Sequence, residues 1–332
     1  MTEYSIGSSA EITKQLIDEA YDKLEPGGRF YIECSTARPD MQKLSTMLVA
    51  AGFLQVVCLP RKDKNGGCIV RCVKTEKRDK LLSIVVPLYN EESTAGELLD
   101  KLINRKWTMP VEFVIVESNS TDGTREIAMQ YKDRDNVCLV LEDKPAGKGN
   151  GVLNGIKHAS GNYIAIQDGD LEYDVEDYDK LLQPIINDET LFVLGSRYRK
   201  EDWHMRKFSG QRAWLADYLN LGQTLLTWLL NRVCGCRLQD PFTMYKIFHK
   251  DCMYGIDFIG GNFGLDWELV IRFTRKGYVP VELPVSYNAR SYEEGKHIAL
   301  IGTPIEGLKS LWHCRFATPV YDYGTEEKYE RI

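Results

Sequence analysis

The stretch Asn162-Tyr-Ile-Ala-Ile-Gln-Asp168-Gly169-Asp170 decides how this chain folds. Its apolar run predicts a strand buried on both faces, as in a parallel sheet. The strand runs straight into two carboxylates one residue apart, which an alternating backbone directs to the same side. Gly169 between them lets the backbone come close to a ligand. Hard oxygen donors in this arrangement suit a divalent cation whose shell is completed by phosphate and water. Acids at this spacing are common in solvated loops. The buried strand that delivers Asp168 and Asp170 is what sets them apart.

Working outward, residues 81–89 (LLSIVVPLY), 111–118 (VEFVIVES), 136–143 (NVCLVLED) and 191–194 (LFVL) repeat the apolar strand pattern. Residues 96–107, 122–132 and 149–160 read as helices between them. This βαβα rhythm predicts an α/β sheet with helices on both faces, whose ligand sits at the carboxyl ends of the strands. Polar clusters fall at those ends: Asn90-Glu91, the run from Glu117 to Asp122, and Asp168 with Asp170.

The 332 residues are 43% hydrophobic and 27% charged, with a formal net charge of -6. That composition is globular and gives no reason to expect a nucleic-acid partner. Nine cysteines without repeated metal-ligand spacing suggest free thiols in a reducing cytosol. No leader-like apolar core opens the chain, and no run reaches about 18 apolar residues. The expected location is cytoplasmic, with any membrane contact peripheral at the inner face.

A charged run from Lys74 to Lys80 separates two regions. Before it, residues 10–24 space apolar positions as a helix does. Pro26-Gly27-Gly28 marks a turn, RFYIEC a strand, and residues 41–53 a helix ending at Gly52. LQVVCLPR and CIVRCVK read as a strand pair about Asn65-Gly66-Gly67. This order resembles the C-terminal part of a class I SAM-dependent methyltransferase, but the glycine-rich cofactor loop is missing. Residues 1–75 are therefore expected to form an appended packing or dimerisation module, with a homo-oligomer or a separate methyltransferase as its partner.

After the linker, Val86-Pro-Leu-Tyr-Asn-Glu91, Ser120-Thr-Asp-Gly-Thr124, Gly147-Lys-Gly-Asn-Gly151, Asp168-Gly-Asp170 and Gly195-Ser-Arg-Tyr198 occur in order. Together they resemble family 2 glycosyltransferases, and more closely the dolichyl-phosphate mannose synthase-like group with its polyprenyl-phosphate relatives. The resemblance implies a GT-A nucleotide-diphospho-sugar transferase fold over residues 79–316, followed by a tail over 317–332. It implies that Pro87, Tyr89 and Glu91 hold the nucleoside, with Glu117 as the acid that contacts the base. Asp122 either joins them or caps the following helix. Lys148 would touch donor phosphate. Asp168 and Asp170, with Glu172, would bind Mg²⁺ or Mn²⁺ and the donor diphosphate.

On the acceptor side, residues 197–212 hold six Lys/Arg against two acids. Arg197, Arg206 and Arg212 are candidates for a phosphate-bearing acceptor, since guanidinium forks bind phosphate well. The resemblance adds Arg290 and Lys296, with Arg290 also counted as catalytic beside Asp170 and Asp266. Residues 214–235 are spaced as an amphipathic helix, suited to core or dimer packing or to a membrane surface. Asp266 would be the base for a hydroxyl acceptor and a positioning group for a phosphate acceptor.

The implied reaction is inverting transfer of a hexose from GDP-mannose or a UDP-sugar to a polyprenyl phosphate. Transfer to a sugar hydroxyl of a surface glycan is the second reading. A catalytically silent nucleotide-sugar-binding scaffold is the third.

Overall fold

The computed structural model describes residues 1–7, 11–36, 39–60, 67–198, 213–259, 264–288 and 302–317. Strands β1 (Glu3–Ile6), β2 (Arg29–Cys34), β3 (Phe53–Pro60) and β4 (Cys68–Lys74) form a four-stranded sheet in the order β1-β2-β4-β3. β1 and β2 run parallel, and β4 is antiparallel to β2 and β3. Helices α1 (Lys14–Lys23) and α2 (Met41–Ala51) pack on this sheet around Ile17, Phe30, Ile32, Leu48, Phe53 and Val70. Local chemistry sets the helix ends. Thr13 Oγ1 accepts from Leu16 N and an Asp40 carboxylate oxygen from Lys43 N, each satisfying a first-turn donor. Lys74 Nζ donates to the Tyr21 and Leu24 carbonyls at 2.6 and 2.8 Å, which closes the other end of α1.

The second sheet has seven strands: β5 (Leu82–Leu88), β6 (Val111–Glu117), β7 (Val137–Leu141), β8 (Tyr163–Ile166), β9 (Phe192–Ser196), β10 (Lys246–His249) and β11 (Val281–Pro284). Their order is β11-β9-β10-β8-β5-β6-β7. β5, β6, β7 and β8 are parallel neighbours, and β10 is antiparallel to β8 and β9. The sheet is mixed, as expected of the GT-A fold, because the four-residue β10 inserts antiparallel between β8 and β9. The helices are α3 (Ala95–Asn104), α4 (Thr124–Met129), α5 (Lys148–His158), α6 (Tyr178–Ile186), α7 (Ala213–Cys234), α8 (Leu265–Arg275) and α9 (Gly302–Trp312). Burial of Ile84, Val85, Phe113, Val114, Ile115 and Ile164 from both faces explains the unbroken apolar runs.

The two sheets have separate apolar cores, and Val49 packs against both. A polar clamp also joins them. The backbone of β3 bulges between Leu54 and Val57, with Gln55 at φ 57. The Asp251 carboxylate accepts from the two amides this bulge exposes, Gln55 N at 2.5 Å and Val56 N at 3.1 Å. Among the described residues, no helix is long and apolar enough to cross a membrane.

Candidate active site

Two loops at the carboxyl end of the seven-stranded sheet are stitched together by side chains. Asn90, at φ 54, takes Thr121 N onto Oδ1 at 2.8 Å and gives its own amide to Ser120 Oγ at 3.0 Å. Glu91 N donates to Thr124 Oγ1 at 2.8 Å, and Glu92 N to Asp122 Oδ2 at 3.2 Å. Asp122 also accepts from Thr124 N and its hydroxyl. Asp122 thereby ties the first turn of α4 to the loop after β5.

Glu117 ends β6 fully buried. Its carboxylate accepts from Asn119 N at 3.3 Å, Ser120 N at 2.7 Å and the Arg125 guanidinium. Burial alone would raise its pKa, but Ser120 and Arg125 outweigh that and hold it below the usual carboxylate range. The acid expected to contact the base is therefore engaged on both oxygens in shaping its own loop. Tyr89, in contrast, is 47% exposed at the end of β5, and its ring is open to a flat partner.

Asp168 and Asp170 lie just past β8. A Cβ on Gly169 would stand 2.7 Å from Leu88 Cδ2, 3.2 Å from the Pro87 carbonyl and 3.3 Å from Glu91 Cγ. Glycine thus lets the turn close on β5. Thr94 Oγ1 locks that closure, reaching the Gly169 carbonyl at 3.0 Å and Glu91 Oε2 at 3.1 Å. Asp168 Oδ1 is buried and receives no hydrogen bond of good geometry, while the Lys148 ammonium stands 2.6 Å from it. Burial opposes the charge of Lys148, but Asp168, Asp266 and Asp170 outweigh it and raise its pKa. Lys148 opens α5, which packs on β5 and β6 and turns its N-terminus toward the acids.

Asp170 is buried and accepts from Glu172 N at 3.1 Å. Glu172, expected beside the metal, is also buried, and its carboxylate accepts from Tyr287 OH at 2.7 Å. Its carbonyl takes Asn288 N at 2.8 Å, so this segment is tied to the chain that follows β11. Among the described residues, no three His, Cys, Asp or Glu side chains form a group able to hold a metal ion. Asp168 and Asp170 alone are the donor set that an incomplete cage, finished by phosphate and water, would need.

Across the cleft, Arg197 is anchored by a buried acid. Its Nε and Nη2 donate to the two oxygens of fully buried Asp240 at 2.7 and 2.8 Å, and its amide adds a third bond at 2.9 Å. This side-on pair uses two of the five guanidinium N–H donors. The fork lies 5.2 Å over the Tyr287 ring. Arg206, Arg212, Arg290 and Lys296 lie outside the described residues.

Asp266 stands half-buried in the first turn of α8. Burial raises its pKa, while Lys246 and Lys148 pull it down and Asp168 pushes it up. Those couplings bring Asp168, Asp170, Lys148 and Asp266 into one electrostatic group. Lys246 is the member that no sequence motif role anticipated. It heads β10 fully buried, its Nζ donates to the Thr243 carbonyl, and burial lowers its pKa against the pull of Asp266 and Asp240. The available signal was a lysine opening the short strand KIFH, just before its apolar pair Ile247 and Phe248.

This fold, with paired acids at the end of a central strand, defines the class: an α/β domain of the nucleotide-sugar transferase type. Residues 83–247 match the profile of Glycosyl transferase family 2, and that segment of the chain belongs to the family. Over 220 residues the chain is 27% identical to dolichol-phosphate mannosyltransferase of Pyrococcus furiosus, spanning 65% of this chain and 58% of the relative. It is 28% identical over 224 residues to dodecaprenyl-phosphate galacturonate synthase of Rhizobium johnstonii, spanning 65% and 61%. The chain thus spans about three fifths of the length of these curated relatives. Among solved structures, glucosyl-3-phosphoglycerate synthase of Mycobacterium tuberculosis, crystallised with Mn²⁺, UDP and glucosyl-3-phosphoglycerate, superposes with a TM-score of 0.51 at 20% identity. That match covers 72% of this chain and 81% of the synthase. It establishes the GT-A fold.

Proposed function

We propose that the chain transfers a hexose, with inversion, from a nucleotide-sugar to a polyprenyl phosphate. The observation that carries the reading is the grouping of Asp168, Asp170, Lys148 and Asp266 at one end of the seven-stranded sheet. The relatives named as dolichol- and dodecaprenyl-phosphate enzymes support the acceptor class.

Tyr89 offers its ring to the nucleobase, with Pro87 and Glu91 on the loop beside it. Lys148 and the N-terminus of α5 face the donor diphosphate, where free amides and an ammonium favour negative charge. Asp168 and Asp170 fit a divalent cation: both are hard oxygen donors, and the buried Asp168 Oδ1 already draws an ammonium to 2.6 Å. When bound, Mg²⁺ or Mn²⁺ neutralises charge on the departing nucleoside diphosphate. The acceptor oxygen forms a bond to the anomeric carbon as the opposite carbon–oxygen bond breaks and leaves its electron pair on that diphosphate. A phosphate acceptor is already anionic, so Asp266 then positions rather than deprotonates it. Arg206, Arg212, Arg290 and Lys296 are candidates for its phosphate, together with Arg197, whose pair with Asp240 uses two of its five guanidinium donors.

A hydroxyl acceptor is the second reading, favoured by the raised pKa of Asp266, which suits a general base. The test is labelled-donor turnover with GDP-mannose and UDP-glucose, comparing undecaprenyl phosphate with oligosaccharide primers. Transfer to the lipid phosphate, with the product anomer inverted by NMR, is expected. Exclusive transfer to the primers selects the second reading, and a retained anomer overturns the single displacement. Asp168→Asn with Asp170→Asn should lower kcat/KM on the order of 10³-fold or more. Unchanged cation-dependent nucleotide affinity in that variant would sink the site, and donor binding without any turnover would mark a silent scaffold.

A further inference from the structure

α7 and α9 each have a packed face and an unpacked one. Inward, Leu230, Leu311 and Cys314 are buried. Gly307 of α9 lies so close to α8 that a Cβ there would stand 2.4 Å from Trp267 Cζ2. Outward, Leu221, Leu225 and Trp228 on α7, with Leu308, Trp312 and Phe316 on α9 and the turn His313–Ala317, are 41% to 64% exposed. Steps of three and four residues place each trio on one helical face. The turn after α9 meets the end of α7, where Arg315 Nε donates to the Val233 carbonyl at 3.2 Å. An open cavity of about 460 Å³ lies among Leu308, Lys309, Trp312 and His313.

The exposed stretch of this face is basic. Residues 220–238 and 307–317 contain Arg232, Arg237, Lys309, Arg315 and His313 and no acid, with Asp217 and Glu306 just before each stretch on the same helices, in a chain of net charge -6. Arg232, Arg237 and Lys309 are exposed. Exposed tryptophans flanked by cations are what the headgroup layer of a bilayer accommodates, with the ring at the apolar boundary and the cations among phosphates. The face also adjoins the site. Trp267, which packs on Gly307 and lies 4.2 Å from Phe242, directly follows Asp266.

We propose that α7 and α9 dock this chain on an anionic phospholipid surface, laying the Asp266 side of the cleft against the headgroups. The proposal rests on the reading that the acceptor is a lipid-borne phosphate, and names the surface that would meet it.

Flotation of the full chain with phosphatidylcholine vesicles, with and without phosphatidylglycerol, tests it. Binding is expected only with phosphatidylglycerol and should weaken at high salt. Trp228→Ser with Trp312→Ser, and separately Arg232→Glu with Lys309→Glu, should each lower the bound fraction by roughly tenfold. These side chains are exposed, so melting temperature and donor-nucleotide affinity should stay unchanged. Absence of flotation, or equal flotation of the variants, overturns the proposal. So does a dimer in light scattering that the tryptophan variant dissolves while no vesicle binds. Transfer to a short-chain, water-soluble polyprenyl phosphate without vesicles reads the acceptor chemistry alone. Its failure with flotation intact strikes the proposed acceptor, and its success without flotation strikes the docking surface.

Discussion

Among the described residues, the N-terminal layer buries the polar side chains Ser45 and Thr46, whereas the layer built on the seven-stranded sheet buries Glu117, Asp170, Glu172, Asp240, Lys246, Asp251, Glu268, Arg272 and Lys276. Both are α/β layers with dense apolar cores, so packing alone does not separate them. Burying a charge is costly, and a buried pair seldom stabilises more than an apolar pair of the same shape. The N-terminal sheet is therefore what this kind of layer looks like when stability is its task. In the other sheet, buried charge gathers where β6 and β8 end and β10 begins, beside the acids read as donor-binding. The two layers join at Asp251, a buried acid that spends both oxygens on the β3 bulge.

If the buried charges of the larger sheet are held only by their partners, removing one should cost more than any apolar truncation in the smaller one. Arg197→Met leaves Asp240 fully buried with its fork gone, and should destabilise by about 3–5 kcal/mol. Denaturant unfolding would read it, with Ile32→Val in β2, at about 1 kcal/mol, as the comparison. Equal losses would break the contrast between the layers.

The junction comes next. Asp251→Ala strands the amides of Gln55 and Val56 and should cost about 2–3 kcal/mol. Limited proteolysis should then cut first near β3, ahead of β5. Simultaneous loss of both sheets would show that they unfold as one unit, which sharpens the comparison in the opposite direction.

Acid sensitivity separates the layers again. His249, buried at the end of β10, accepts Asp251 N on Nδ1 at 3.1 Å and is therefore neutral. Burial, with Lys250 nearby, depresses its pKa to about 3. An ordinary histidine titrates near 6.5, so the unfolded chain binds the proton first. The stability His249 contributes is complete above about pH 6.5 and falls as pH drops toward 3, by about 2 kcal/mol at pH 5. Asp251, whose pKa burial raises, works the other way and favours the fold as pH falls. The His249→Gln difference isolates the histidine: its stability should decline less between pH 7 and 5. An unchanged slope would refute the assignment.

How much of this could be read beforehand depended on the range of the interaction. Strands β5, β6 and β8 were visible because burial on both faces writes a continuous apolar run. β1 and β10 were not, since EYSI and KIFH are four residues long and carry no period of their own. Asp168 and Asp170 were legible from the strand that delivers them. The fate of Arg197 was not, because its partner Asp240 is 43 residues away and a basic stretch looks the same paired or free. Asp122 was undecidable for a related reason: an acid two residues before Thr124 suits a ligand or a helix start equally.

Lys246 gives the smallest expected effect and the most direct view of how the larger sheet uses its buried charge. β10 runs antiparallel between β8 and β9, which sets Lys246 opposite Ile166 and Leu194. From there its field reaches Asp266, Asp240 and Asp168. Asp266 is raised by burial and restrained chiefly by Lys246, then by Lys148. Lys246→Met keeps the length of the side chain and removes its charge, so Asp266 should bind its proton at higher pH. If ionised Asp266 serves the reaction, the acid limb of the kcat/KM profile should move to higher pH. Activity well above that limb should change little. Lys246→Arg should hold the limb in place, which a merely structural role would not require. An acid limb that stays fixed in Lys246→Met, with the fold intact, would show that the lysine serves the Thr243 turn alone. The functional group would then end at Asp168, Asp170 and Lys148.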